Sequence, residues 1–412
     1  MPSHPRRKAA KKSKAMASRS QKTAQAPTRK STGSAKSTGS ARKKPAAVRY
    51  AVVGLGYFSQ VAILPAFAHA NRNSEMVALV SDDDEKIKKL GRKFGVKAAY
   101  HYNRFDELLT NGSIDAVYIA LPNDMHREFA VRAARAGVHV LVEKPMALTE
   151  AECVEMIRAA NEHDVRLMIA YRLHLAASNL SAIEVIHKGK IGEPRFFTSS
   201  FSMQVKEGNI RTQAGHGGGP VYDIGVYCIN AARYLFRAEP IQVMAFSASK
   251  NEDARFAEID EMAAVIMRFP DDRLAQFTCS FGASDTSHYE VIGDRGSIRL
   301  EQAYEYAMPS ILMTTTKGKT RSHRFGKKDQ MAAEILYFSD CVLQRQEPEP
   351  SGAEGLADIR IVQAILESLR SGKPVSIEPV KKRLYPSKEM EIERPPINKP
   401  DLVHAEGPSQ DG

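Results

Sequence analysis

From Arg49 to Lys144 the chain alternates between short apolar runs and longer stretches whose apolar residues recur at helical spacing. The runs at 50–53, 76–81, 98–102, 116–120 and 139–143 predict strands, and the stretches at 84–94, 104–110 and 127–136 predict helices between them. A further helix is expected at 60–70, another at 149–162 with Thr149 and Glu152 spaced as a capping box, and a sixth strand at 166–170. This alternation is what a parallel sheet covered by crossover helices requires. Past about residue 179 the pattern changes. An amphipathic segment at 181–188 leads to a strand-like run at 196–203, and Gly217-Gly218-Gly219-Pro220 opens a predicted helix at 221–235. Closely spaced strand-like runs follow at 243–249, 261–269, 274–280, 287–292, 297–301 and 311–316, as in an antiparallel sheet. Final helices are expected at 330–343 and 355–369. These shifts divide the chain into a leader (1–47), a first domain (48–172), a second domain (173–379) and a Pro-rich extended tail (380–412).

Charge changes this picture at one end only. The net charge of +11 suggests a nucleic-acid binder, but residues 1–49 hold 15 Lys+Arg and no Asp or Glu, leaving 44 basic and 48 acidic residues in the remainder. The leader, with its tandem Lys-Ser-Thr-Gly-Ser-Ala repeat, cannot bury enough apolar surface to offset its ordering entropy, and is expected to be disordered. A nucleic-acid arm is the less favoured reading, because no aromatic residue interleaves the charges to stack on bases. Cys153, Cys228, Cys279 and Cys341 lie far apart in apolar segments without metal-ligand spacing, so free thiols, no metal and a reducing cytoplasmic compartment are expected. No apolar run reaches membrane-spanning length.

The candidate chemistry begins at Gly54-Leu55-Gly56-Tyr57-Phe58-Ser59, directly after the first strand. A tight glycine turn between strand and helix lets backbone N–H groups approach a pyrophosphate at the helix N-terminus. Ser59 stands where a third small residue is expected. In parallel sheets ligands bind beyond the carboxyl ends of the strands, which here carry Ser81-Asp82-Asp83-Asp84-Glu85-Lys86, Pro122-Asn123-Asp124-Met125-His126 and Glu143-Lys144-Pro145.

With Asp223-Ile224-Gly225-Val226-Tyr227 after the glycine run, these motifs resemble those of the glucose-fructose oxidoreductase, inositol dehydrogenase and MocA family, over about residues 49–379. The resemblance implies a doubly wound Rossmann domain, a C-terminal α+β domain with an open antiparallel sheet, nicotinamide chemistry on a sugar or related polyol or ketone, and a homodimer or homotetramer. It places Gly54, Gly56, Tyr57, Phe58, Pro122, Asn123, His126, Glu143 and Lys144 at the cofactor, with His126 as a nicotinamide-ribose contact. Tyr227 stands where the family often has His, as in its glucose-fructose oxidoreductase branch.

Hydride transfer from a carbinol needs a group to take the hydroxyl proton and a cation to stabilise the developing alkoxide. Tyr227 is the expected acid/base, Lys144 the cation, and Asp223, four residues before Tyr227 on a predicted helix, shares its face. A free phenol titrates near 10, so Tyr227 needs a nearby cation to act at neutral pH. Arg172 and His174, after the sixth strand, are candidates for substrate contact. Ser81 falls where NAD enzymes carry an acidic ribose ligand, and with Lys86 it favours NADP. Asp82, one residue on, keeps NAD as the alternative. A second class of function is a non-catalytic nucleotide sensor tethered to nucleic acid by its leader.

Overall fold

A computed structural model describes residues 47–250, 252–381 and 384–409. The basic leader lies outside the described residues.

Six strands, β1 (Val48–Val53), β2 (Ser74–Val80), β3 (Ala98–Tyr100), β4 (Ala116–Ile119), β5 (His139–Val142) and β6 (Leu167–Ile169), form one sheet in the order 3-2-1-4-5-6, parallel throughout. The central strands read as continuous apolar runs because helices cover both faces, and all four residues of β4 are buried. The order reverses between β1 and β4, the point at which a doubly wound sheet opens a ligand crevice. This is the Rossmann architecture that the family resemblance implies. Helix Asp84–Phe94 begins where Asp83 accepts the Lys86 N–H (2.9 Å) and ends at Gly95, whose φ of 71° needs no Cβ. Thr149 and Glu152 form the expected capping box before helix Glu150–Glu162. Helix Gln330–Gln344, late in the chain, packs back on this first sheet through Met331, Ile335, Leu336 and Phe338.

The second sheet has nine strands: β7 (Pro194–Ser202), β8 (Gln242–Ala248), β9 (Met262–Phe269), β10 (Arg273–Ser280), β11 (Thr286–Gly293), β12 (Gly296–Glu301), β13 (Ser310–Thr316), β14 (Lys319–Phe325) and β15 (Val375–Ser376). Their order is 14-13-12-11-7-10-9-8-15. The expected antiparallel sheet has one parallel pair at its centre, where β7 runs alongside β10, while every other pair is antiparallel. β7 arrives from the first domain through helix Ala177–His187 and is flanked by strands that follow much later, so neither of its neighbours is joined to it by a hairpin. One face is buried against helices Val226–Phe236 and Gly352–Ser371. The other leaves Phe196, Phe246, Ile266 and Leu274 exposed. Those two helices are locked together by Arg233, fully buried, whose guanidinium donates to Glu239, Glu354 and Asp358.

Candidate active site

The glycine turn is built for close approach. Gly54 has φ of 93°, and a Cβ there would lie 2.4 Å from the Ala120 carbonyl oxygen, so only glycine fits between β1 and β4. A Cβ on Gly56 would meet nothing within 4 Å, which leaves this backbone open to the crevice. Ser59 is explained by its hydroxyl, which donates to the Gly54 carbonyl (2.6 Å) and braces the turn. The helix it opens begins with a π turn, Ser59–Ile63. Tyr57 and Phe58 are half-buried, and Phe58 packs edge-on against Tyr306 of the second domain, 5.7 Å between centroids. At the next strand end Ser81 is buried and accepts the Asp83 N–H (3.2 Å), while Lys86 Nζ stands 3.9 Å from Asp83. These features fit a dinucleotide: an open glycine backbone for the pyrophosphate, and no carboxylate at position 81.

The two domains meet over the fourth and fifth strand ends. Asn123, after Pro122, donates to the Gly217 carbonyl (3.0 Å), and Tyr222 donates to Leu148 O (2.8 Å). Lys144 Nζ donates both to Asp223 O (2.8 Å) and to Asp223 Oδ1 (2.9 Å), and lies 4.8 Å from the Tyr227 ring centroid. Asp223 sits in a π turn, Val221–Gly225, and Tyr227 in the α-helix that follows, so the wider turn sets their relation where regular α-helical spacing was expected.

Arg211 completes the group. Its Nε donates to Asp223 Oδ2 (2.7 Å). It is held there by the glycine run: a Cβ on Gly218 would lie 2.5 Å from the Arg211 carbonyl oxygen. The sequence reading missed Arg211. Its signal was a lone arginine among the glycine turns ahead of Asp223. Burial alone would push the Asp223 carboxyl up, but Arg211 and Lys144 outweigh it and hold the group far below the usual carboxylate range. Lys144 in turn is raised, since Asp223 and then Tyr227 overcome the burial that disfavours its charge. The charges at Lys144 and Asp223 are therefore fixed at neutral pH.

Three of the expected site residues are buried. His126 has no exposed surface to offer a ribose: its ring nitrogens lie 2.9 Å from Pro145 O and 3.0 Å from Leu121 O, so it staples two strand ends together. His174 is equally buried, between Glu349 (2.5 Å) and Asn230 (2.7 Å), and cannot touch substrate. Arg172 is buried too. It donates to Gln330 and to the Tyr304 carbonyl, and its guanidinium lies 5.1 Å from the Tyr227 centroid, beside the phenol.

Glu143 accepts from the Tyr118 hydroxyl (2.8 Å). Burial pushes its carboxyl up, and it pushes that of Glu334 up more strongly, with the Glu143 charge second. Glu334 Oε1 is buried with no hydrogen-bond partner among the described residues. A carboxyl raised in the folded state stabilises the fold fully below the ordinary carboxyl range, and that contribution is lost as pH rises toward the folded value. Glu334→Gln is therefore expected to melt above the wild type at pH 8 and with it near pH 5, by about 2–4 °C for each kcal/mol recovered. Thermal melts across pH test this, and a difference independent of pH would rule out Glu334 as the titrating group.

Comparison with known proteins follows this geometry. Residues 48–171 match a model described as an oxidoreductase family with an NAD-binding Rossmann fold, and residues 180–299 match the GFO/IDH/MocA C-terminal domain. The chain is 33% identical over 339 residues to a D-xylose 1-dehydrogenase [NADP(+)] of Haloarcula marismortui, covering 80% of this chain and 93% of the relative. Among solved structures, an aldose-aldose oxidoreductase from Caulobacter crescentus, complexed with glycerol, has 34% identity and a TM-score of 0.77, with 80% of this chain covering 100% of that one. A 3-ketoreductase from Actinomadura kijaniata, solved with NADP and TDP-benzene, has 27% identity and a TM-score of 0.71, covering 78% of this chain and 98% of that chain. With both domains matched and a third of residues shared along most of a relative's length, the chain belongs to the GFO/IDH/MocA family of oxidoreductases.

Proposed function

We propose that this protein is an NADP-dependent oxidoreductase that transfers a hydride between nicotinamide and a CH–OH or C=O carbon of a sugar or related polyol or ketone. The observation that carries this reading is Lys144, an ammonium fixed by Asp223 and lying 4.8 Å from the centroid of the Tyr227 ring at a strand end facing the glycine turn. The relatives act on sugars or sugar nucleotides by name, and two are NADP enzymes or were solved with NADP. Ser81 in place of an acid, with Lys86 nearby, supports NADP over NAD.

A bound nicotinamide supplies the hydride donor or acceptor. The chain's own residues do the rest. The Tyr227 oxygen takes the carbinol proton as phenolate in oxidation and, as phenol, gives a proton to the substrate oxygen in reduction. Lys144 stabilises the negative charge that develops on the substrate oxygen, at a point where it needs no reorganisation because Asp223 already holds it. Asp223, ionised at neutral pH and clamped by Arg211, orients a substrate hydroxyl. Tyr304, tilted, and Phe201, edge-on, pack against the Tyr227 ring with centroids 5.9 and 5.7 Å away and fix its orientation.

An assembly of two or four copies is supported by the exposed apolar residues Phe196, Phe246, Ile266 and Leu274 on the open sheet face. A cytoplasmic setting is supported by four buried free thiols. The test is to denature purified protein, identify the released nucleotide by absorbance and mass, and measure initial rates on an aldose and ketose panel with each cofactor. Released or added NADP with turnover of at least one sugar is expected. Protein that binds neither nucleotide and turns over no sugar would sink the proposal.

A further inference from the structure

The C-terminal segment is tied to the cofactor turns and to the second sheet at the same time. The Val403 N–H donates to Gln60 Oε1 and its carbonyl accepts from Gln60 Nε2, both at 2.8 Å. Gln60 is buried, and the same amide nitrogen donates to Leu55 O (2.9 Å) inside the glycine turn. The next residue, His404, adopts a φ of 45°, a left-handed conformation that a side chain keeps only where its surroundings hold it. Its Nδ1 lies 3.0 Å from Asp83 Oδ2 and its Nε2 3.1 Å from Glu85 Oε2. Four residues on, the Pro408 carbonyl accepts the Lys206 N–H (2.8 Å), and Ser409 forms a bridge with Val205, just past β7. Four Cα steps span at most about 14 Å, so Ala405, Glu406 and Gly407 form a short crossing from the dinucleotide domain to the sheet domain.

This crossing bears on a difficulty in the ribose turn. Asp82, Asp83, Asp84 and Glu85 would repel a 2′-phosphate. Three of the four are engaged by side chains: Asp84 by His101 (2.8 Å), Glu85 by Lys89 and His404, and Asp83 by Lys86 and His404. The Asp83 carboxyl lies below its usual range because it accepts the Lys86 N–H and then because His404 bonds it. His404 thus sets one ring nitrogen against each of two carboxylates of the acidic turn. Of these partners, His404 alone comes from outside the first domain.

We infer that residues 401–409 are a working part of the cofactor site, with His404 allowing a 2′-phosphate to sit against the acidic turn and the crossing holding the cofactor in place. This rests on the NADP reading above. The test compares wild type, His404→Gln and a chain ending at Asp401. Calorimetry would measure binding of 2′,5′-ADP and of 5′-AMP, which differ only in the 2′-phosphate. The chain has no tryptophan, so the fluorescence of bound NADPH reports its release without interference. His404→Gln is expected to weaken 2′,5′-ADP about threefold to fivefold while leaving 5′-AMP unchanged, the scale of one partly exposed charge contact. The shortened chain is expected to release NADPH at least about tenfold faster, as loss of several anchoring hydrogen bonds predicts. Should the shortened chain fail to fold, the exposed His404→Gln variant still decides the matter. Wild type that binds both probes while the variants match it would overturn this inference alone. Wild type that binds neither would overturn the cofactor reading with it.

Discussion

Replacing Lys144 by methionine is expected to lower kcat on an identified sugar by about 10²–10³-fold, the cost of removing one preorganised charge from a developing oxyanion. Methionine keeps much of the stem and removes only the ammonium. Two bonds to Asp223 go with it, yet Arg211 still pairs the second carboxylate oxygen at 2.7 Å, so Asp223 is not left as an uncompensated charge. The loss should therefore fall on turnover, with thermal stability and NADPH binding close to wild type. Rates, melts and cofactor titration on the same preparation check this. Near-normal turnover would remove Lys144 from the chemistry, and a collapse in stability would make it a structural clasp.

Tyr227→Phe is expected to reduce kcat by about 10²–10⁴-fold, the usual contribution of a positioned acid/base, with little change in KM. The ring would keep its packing on Phe201 and Tyr304, and both cations would keep their place near its face, so the change isolates the hydroxyl. The pH dependence of kcat/KM should lose the limb that reports proton transfer. If that limb and the rate survive in Tyr227→Phe but disappear in Lys144→Met, the ammonium itself moves the proton and the phenol only shapes the pocket.

Much of the fold was legible because it depends on local pattern. Buried parallel strands write themselves as apolar runs, and Thr149 with Glu152 marks a helix start in a way that tertiary contacts rarely override. Strand direction is different: 194–202 reads as a strand, but nothing in it says that its partner at 273–280 runs parallel. Strand Lys319–Phe325 escaped notice because it is an exposed edge of charged and hydroxyl residues with no apolar alternation. At the site, a strand end pointed to Lys144 and the motif after the glycine run to Asp223, and the two lie 2.9 Å apart. His126, His174 and Arg172 also follow strand ends, but their polar atoms turn inward to backbone carbonyls and buried partners. Burial of a polar side chain is settled by what packs over it, and that comes from distant segments. Arg211 and His404 were overlooked for the converse reason: they reach the site from a loop and a tail that look bland in isolation.

The central position of β7 bears on how the protein is made. Its two neighbours, β10 and β11, begin at Arg273 and Thr286, some 70 or more residues after β7 ends at Ser202. At ribosomal speeds of about 5–20 residues per second, the strand waits roughly 4–14 s after synthesis before its first partner exists. During that interval an apolar ribbon carrying Phe196, Phe197 and Phe201 is open at both edges. The first sheet has all six of its strands by Ile169, although one of its faces is covered only when helix Gln330–Gln344 has been made. Nascent chains halted before Arg273 would then leave both edges of β7 open to pairing with other chains.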